Sequence, residues 1–142
     1  MNVRLDKVVR VVGPGIKRVY SLVLTDAGLC LIQTGHVGAL KHYRRDDTGR
    51  LVCDRLDDRR VREIQIREGQ IDTLPLDELL QLQDNYFIRW EALEDVELRP
   101  NKKEPEMWLG VTGSEHHLFF PCATWDEVEV FQRALSKWLA PR

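Results

Sequence analysis

The sequence predicts a mainly β fold that ends in one α-helix. Strand-like runs of β-branched and other apolar residues, separated by Gly, Pro or polar turns, recur along most of the chain. Residues 124–139 instead repeat their apolar side chains at helical spacing. The 142 residues, 43% of them hydrophobic and 31% charged, have the composition of one soluble globular domain. We therefore expect a single domain over residues 1–142.

The first part of the chain predicts three strands. They are residues 8–12, 19–25 and 29–34, and each is rich in Val, Leu or Ile. Residues 13–15 (GPG) break the chain after the first strand, and residues 26–28 (DAG) form a compact turn after the second. The second and third strands are therefore expected to form a hairpin.

Residues 35–84 differ from what precedes them and are predicted to be a charged, partly helical insertion. We expect its Arg-rich part, residues 41–53, to be mobile or disordered. Residues 54–68 contain no Gly or Pro and fit a helix, but residues 61–66 fit a strand equally well, and both alternatives stay open. Residues 75–82 (PLDELLQL) predict a short amphipathic helix, because Pro and acidic residues favour a helix start.

The second half of the chain predicts four further strands. They are residues 86–90, 96–98, 107–111 and 117–120. Residues 112–115 (TGSE) form a turn between the last two, which predicts another hairpin. The chain thus contains seven predicted strands before the final helix.

The C-terminal helix has the clearest sequence pattern. Thr124 is followed three residues later by Glu127, which is a capping box, and Pro141 ends the pattern. The apolar positions at helical spacing are Trp125, Val128, Phe131, Leu135 and Trp138. Burial of these side chains would stabilise the fold by about 7–15 kcal/mol as an upper bound. We therefore expect the helix to cap the sheet with all five of them in the core.

Two segments resemble bacterial pleckstrin-homology-like (PH-like) and GRAM-like domains. Residues 22–32 (LVLTDAGLCLI) resemble a hairpin of those domains, and residues 85–98 (NYFIRWEALEDVEL) resemble a strand pair. Leu79 and Leu80 resemble the short helix that precedes this pair in members with an insertion. The resemblance implies a PH-like seven-stranded antiparallel barrel or sandwich, capped by the helix at 124–139.

The same resemblance directs attention to Lys17 and Arg18. In PH domains the loop between the first two strands often supplies basic residues to an inositol phosphate, which implies that these two side chains are candidates for an anionic ligand. The insertion departs from the family pattern. It is rich in Arg and Asp where relatives often carry Gly and apolar residues, which argues against membrane contact through it.

The charge distribution excludes some classes of partner. The net charge of −2 provides no general attraction for phosphate backbones, so we expect no nucleic-acid partner. Residues 1–74 carry 14 Lys and Arg against 10 Asp and Glu, whereas residues 75–142 carry 7 against 13. No stretch approaches the about 18 apolar residues of a membrane span, and the first residues lack a signal-peptide core. We expect a cytoplasmic protein.

No residue pattern predicts catalysis, a metal or a cofactor. Cys30, Cys53 and Cys122 have no metal-site spacing, so we expect free thiols, with a disulfide or intermolecular bond at Cys53 as the alternative. His116 and His117 are adjacent on a predicted strand and would point to opposite faces, so they cannot hold one ion together. We expect one of them to face solvent and the other to pack.

The sequence therefore favours a non-catalytic binding or scaffolding module. It would contact a protein partner or another copy of itself through an exposed strand edge, or through the insertion acting as an arm. One alternative is a lipid or anionic head-group module that uses Lys17 and Arg18. The second alternative is a small enzyme or ligand carrier with a pocket between the sheet and the helix.

Overall fold

The computed structural model describes residues 3–99 and 104–139, which form nine strands and three α-helices. The strands are β1 (Val3–Gly13), β2 (Ile16–Leu24), β3 (Gly28–His36), β4 (Tyr43–Arg45), β5 (Leu51–Cys53), β6 (Tyr86–Arg89), β7 (Leu93–Arg99), β8 (Glu106–Val111) and β9 (Ser114–Phe119). The helices are α1 (Arg59–Thr73), α2 (Leu76–Leu79) and α3 (Trp125–Ser136). Short 3-10 helices cover Val37–His42 and Trp90–Ala92.

Seven strands form one antiparallel sheet in the order β6-β3-β2-β1-β9-β8-β7. Strands β4 and β5 pair with each other in a separate hairpin. The prediction of a mainly β fold, with a seven-stranded antiparallel sheet and a C-terminal helix, is confirmed. The sheet does not close, because β6 and β7 do not pair with each other and remain its two edges.

The inner core joins both halves of the sheet. Leu22 and Leu31 from β2 and β3 pack in one cluster with Leu109 and Leu118 from β8 and β9. The sheet therefore curves around this cluster. Helix α3 contributes the buried Phe131 and contacts β1 and β7.

Helix α3 begins as predicted, but two of its expected core residues are exposed. The Thr124 and Glu127 capping box is present. Trp125 lies in the first helical turn and is 41% exposed, whereas Val128, Phe131 and Leu135 are buried. Trp138 follows the end of the helix and is 40% exposed, with one ring face stacked on Trp90 at 4.8 Å. The predicted end at Pro141 lies outside the described residues.

The expectation of a mobile segment at residues 41–53 is wrong, because this segment folds into the β4–β5 hairpin. The Asp46 carboxylate accepts hydrogen bonds from the backbone N–H groups of Thr48 and Arg50, which closes the hairpin turn. The two alternatives for residues 61–66 are resolved in favour of helix α1. The short helix expected at 75–82 is observed as α2.

The insertion forms a second layer over the outer face of the sheet and is not a projecting arm. Val61 and Ile64 of α1 are fully buried in a cluster with Val9 and Val19 of the sheet. A Cβ atom added at Gly35 would lie 2.7 Å from Cγ1 of Ile64, so α1 rests directly on the backbone of β3. Strands β1 to β3 are therefore covered on both faces.

An irregularity in β1 anchors the insertion. The register shifts between Leu5 and Val8, and Lys7 adopts a left-handed conformation with φ of 57°. The Lys7 ammonium donates hydrogen bonds to both carboxylate oxygens of Glu68 at 3.0 Å. Arg4 forms an ion pair with Asp72, so two basic residues of β1 hold the second half of α1.

Candidate functional site

An open cleft lies where the sheet fails to close. It has a volume of about 620 Å³ and separates the β6 edge from the β8–β9 hairpin. Its lining residues are Arg10, Tyr86, Phe87, Ile88, Arg89, Ala92, Val111, Ser114, Glu115 and His116. The cleft thus combines a strand edge, aromatic rings and basic side chains.

Three side chains contact Arg10 in this cleft. Its guanidinium donates to Nδ1 of His116 through Nε at 3.2 Å and through Nη2 at 3.0 Å. It also donates to the Tyr20 hydroxyl at 3.3 Å. The Tyr86 ring lies 4.5 Å from the guanidinium carbon, which is a cation–π distance. The position of the charge is therefore fixed before any ligand binds.

The strand register explains why Arg10 reaches the cleft. Side chains alternate between the two faces of a strand, so Arg10 shares the inner face with Val8, while Val9 points to the insertion. Arg10 lies opposite Leu118 of β9 in the register. It therefore occupies the point where the inner core ends and the cleft begins.

The Arg10 charge has no acidic partner in the described part of the chain. Among residues 3–99 and 104–139, no carboxylate lies within 4.0 Å of its guanidinium, although Glu115 also lines the cleft. Burial, and then the neighbouring Arg10 charge, lower the pKa of His116 below its ordinary value. The Arg10 Nε–H group donates to Nδ1 of His116, so this nitrogen acts as an acceptor, as in a neutral imidazole. The cleft holds a positive charge that an anion would neutralise.

Strand β6 offers a free edge beside this charge. It pairs with β3 on one side, and no strand of the described chain lies on its other side. Tyr86 is 40% exposed and Phe87 is 39% exposed, so apolar surface accompanies the edge. A free strand edge can accept an extended segment through its backbone hydrogen-bonding groups.

The opposite edge of the sheet has a different character. Strand β7 exposes the acidic side chains of Glu94, Asp95 and Glu97. Acidic residues repel an acidic segment, so the two edges differ in the partners that they admit. The edge at β6 is the one suited to an anion.

Lys17 and Arg18, the residues implied as anion ligands by the PH-like resemblance, do not converge. They are consecutive in β2 and point to opposite faces. The Lys17 ammonium lies 5.0 Å from the centre of the Phe119 ring. Arg18 donates to the carbonyl oxygen of Lys17 and lies opposite Arg10 in the register, without lining the cleft.

His116 and His117 lie on opposite faces as expected, but neither is freely exposed to solvent. His116 is buried against Arg10. His117 stacks on Trp108 at 3.8 Å, and its Nε2 lies 2.6 Å from a carboxylate oxygen of Glu106. The expectation that one of the two faces solvent is wrong, because the outer face of β8 and β9 carries its own aromatic stack.

The three cysteines are unpaired. Burial raises the pKa of the Cys30 thiol to about 11, and it raises that of Cys122 to about 11 as well. Both are therefore protonated at neutral pH and are poor nucleophiles. Within the described ranges, no three His, Cys, Asp or Glu residues are grouped as metal ligands would be.

Arg10, the central residue of the cleft, is not among the site residues predicted from the sequence. A signal was present, because Arg10 interrupts a run of four valines at an inward-facing position. A charged residue at such a position needs a polar partner or a route to solvent. His116 supplies part of that environment, but its contact with Arg10 joins residues 106 positions apart.

Two comparisons with known proteins gave no match. No family model matches the chain, and no curated protein is significantly similar to it. Among the helices that the structure describes, none has both the length and the apolar character needed to cross a membrane.

Proposed function

We propose that this chain is a non-catalytic binding module that takes an extended segment of a partner protein along the free edge of β6. A carboxylate of that segment would pair with Arg10. The observation that carries the proposal is the fixed guanidinium, which has no carboxylate partner in the described residues and lies in an open cleft beside an unpaired strand edge.

The energetics favour this arrangement. Backbone hydrogen bonds along an added strand provide affinity, and side-chain contacts provide specificity. A hydrogen bond to a charged group contributes about 1.5–3 kcal/mol. The contacts of Arg10 with His116 and Tyr86 fix its position in advance, so binding costs less side-chain entropy.

The proposed fold family is PH-like. The sheet of seven strands followed by a helix supports it, because this order matches the one that the sequence resemblance implies. The proposed location is the cytoplasm, and the unpaired cysteines agree with a reducing compartment.

The edge has better support than the other surfaces considered. The insertion packs flat on β1 to β3 and does not extend outward as an arm would. Lys17 and Arg18 point to opposite faces, which weakens the case for an anionic head group at these two residues. The groove between β1 and the C-terminal helix α3 measures only about 290 Å³, so this groove gives little support to an enzyme or carrier pocket under α3.

A peptide selection tests the proposal. The full chain is used to select linear peptides from a randomised display library, in parallel with its Arg10→Gln and Arg18→Gln variants. Arg18 is the matched control, because it faces Arg10 across the strand pair but does not line the cleft. We expect an acidic residue to be enriched at one peptide position with the wild type and Arg18→Gln, and not with Arg10→Gln.

Two results would contradict the proposal. The first is a set of selected peptides with no acidic preference. The second is a set whose binding shifts backbone amide signals of the protein away from β6 and β9. Light scattering of the unliganded protein separates a partner segment from a second copy, because a concentration-dependent mass that Arg10→Gln abolishes would identify another copy as the occupant.

A further inference from the structure

A second and larger cleft lies on the insertion side of the molecule. It has a volume of about 920 Å³ and opens between α1 and the turn that precedes β6. Three arginines of α1 line it together with the amide side chains of Gln33, Gln70 and Gln83. The carboxylates of Glu63 and Asp84 also line it, so its basic side chains outnumber its acidic ones by three to two. Volumes of about 300–1,000 Å³ are typical of sites for small molecules.

Two of these arginines have no acidic partner among the residues that the structure describes. Arg67 is paired with Glu63 at 3.3 Å. By contrast, Arg59 and Arg62 have no carboxylate within 4.0 Å in the described part of the chain. Most other arginines of the insertion have an ion-pair partner. They are Arg44, Arg45, Arg55 and Arg60. The unneutralised charge on α1 is therefore concentrated in the cleft.

The helix brings Arg59 and Arg62 to the same cleft. Arg59 and Arg62 are three residues apart and lie on one side of α1. Guanidinium groups bind phosphate oxygens through paired N–H donors. Two of them in one cleft match the several oxygens of a single phosphate group, and the glutamine amides add further donors.

The cleft also has an apolar part. Ile66 and Leu82 line it, and their side chains are 62% and 49% exposed. Exposed aliphatic side chains beside arginines suit a ligand with a phosphate at one end and an apolar body at the other. A bare inorganic anion would leave this surface uncovered.

We propose that this cleft binds a small organic phosphate ester, with Arg59 and Arg62 on the phosphate and with Ile66 and Leu82 against the organic part. The inference is independent of the site at Arg10, because the two clefts share no lining residue.

The test uses phenyl phosphate as the probe. Phenol and inorganic phosphate serve as controls that carry only the organic part or only the phosphate. Each is titrated into the full chain labelled with ¹⁵N, and the backbone amide shifts are followed. We expect saturable shifts with phenyl phosphate that map to α1 and residues 82–84. Inorganic phosphate should bind more weakly, and phenol should cause no saturable shift.

Two double variants separate the site from general charge. Arg59→Gln with Arg62→Gln should weaken phenyl phosphate binding by about tenfold or more, because two charge-assisted contacts are lost. Arg18→Gln with Arg50→Gln removes the same charge outside the cleft and should change the affinity by less than about twofold. Circular dichroism checks that both remain folded.

Three results of these titrations would contradict a phosphate site at Arg59 and Arg62. Shifts that do not saturate, that map elsewhere, or that respond equally to both double variants would overturn it. Arg10→Gln should leave phenyl phosphate binding unchanged. Failure of the peptide selection at β6 would therefore not affect this result.

Discussion

Replacement of Ile64 by Ala tests whether the insertion belongs to the folded core. Ile64 is fully buried between α1 and the backbone of β3. Its truncation removes three carbon atoms, and the cost of lost burial plus the remaining cavity is about 2–5 kcal/mol. We expect a loss near the middle of this range, because Gly35 has no side chain to fill the space whereas Val9 and Val19 of the same cluster can move partly into it.

The matched control is Ile66→Ala. Ile66 is the same residue type on the same helix, but its side chain is mostly exposed. We expect its truncation to change the free energy of unfolding by less than about 0.5 kcal/mol. The difference between the two variants therefore measures burial and not helix propensity.

The assay is urea unfolding followed by circular dichroism and tryptophan fluorescence. We expect Ile64→Ala to lower the midpoint of the single main transition, with coincident curves from both signals. A loss below about 1 kcal/mol, or a separate early transition seen only in the helical signal, would refute the two-layer structure.

Three further predictions concern stability. Phe131→Ala should cost about 3–5 kcal/mol and Trp125→Ala less than about 1 kcal/mol, measured by the same unfolding assay, because only Phe131 is buried. The free energy of unfolding should fall as the pH drops through about 6.5, because the unfolded chain binds a proton at His116 more readily than the native protein does. Urea unfolding between pH 5 and 7.5 measures this dependence, and the His116→Gln variant should lack the contribution of His116 to it. Deletion of residues 41–68 should abolish cooperative thermal unfolding, because it uncovers the outer face of the sheet. A folded monomer of this deletion variant would contradict the prediction and show that the insertion is dispensable for folding.

The seven main strands and the C-terminal helix were predictable because local patterns determine them. The capping box at Thr124 and the alternation in β7 and β8 depend only on neighbouring residues. The two tryptophans of the helix pattern were misassigned for a related reason. Periodicity shows which residues share a face, but it does not show how far along the helix the sheet extends.

The layering of the insertion was not predicted, although the sheet itself carried a signal. In β2 and β3 the residues from Tyr20 to Leu24 and from Gly28 to Ile32 are buried at every position rather than at alternate ones. Continuous burial of this kind requires cover on both faces of a sheet. The sequence of the insertion gives little indication that it covers the sheet, because only Val61 and Ile64 of α1 are buried, among many charged residues.

The site at Arg10 depends on contacts that no local pattern contains. The guanidinium meets Tyr86 and His116, which come from distant parts of the sequence, and the cleft exists only because the sheet stays open. Lys17 and Arg18 were predicted as candidates for one anionic ligand, but the structure separates their side chains. Neighbours in a sequence are attractive as a joint site, but on a strand they face apart.

The extra residue near Lys7 in β1 couples the structure of the sheet to the presence of the insertion. Leu5 pairs with Leu22 and Val8 pairs with Tyr20, so β1 has one residue more than regular pairing requires. The left-handed conformation of Lys7 costs about 1 kcal/mol or more, and its side chain contacts Glu68 of the insertion. Without the insertion, Lys7 would lose its ion pair with Glu68, and this contact would no longer offset the cost of its conformation. We therefore expect chains of this fold that lack the insertion to have a first strand shorter by one residue at this position, so that the two differences in length occur together among relatives.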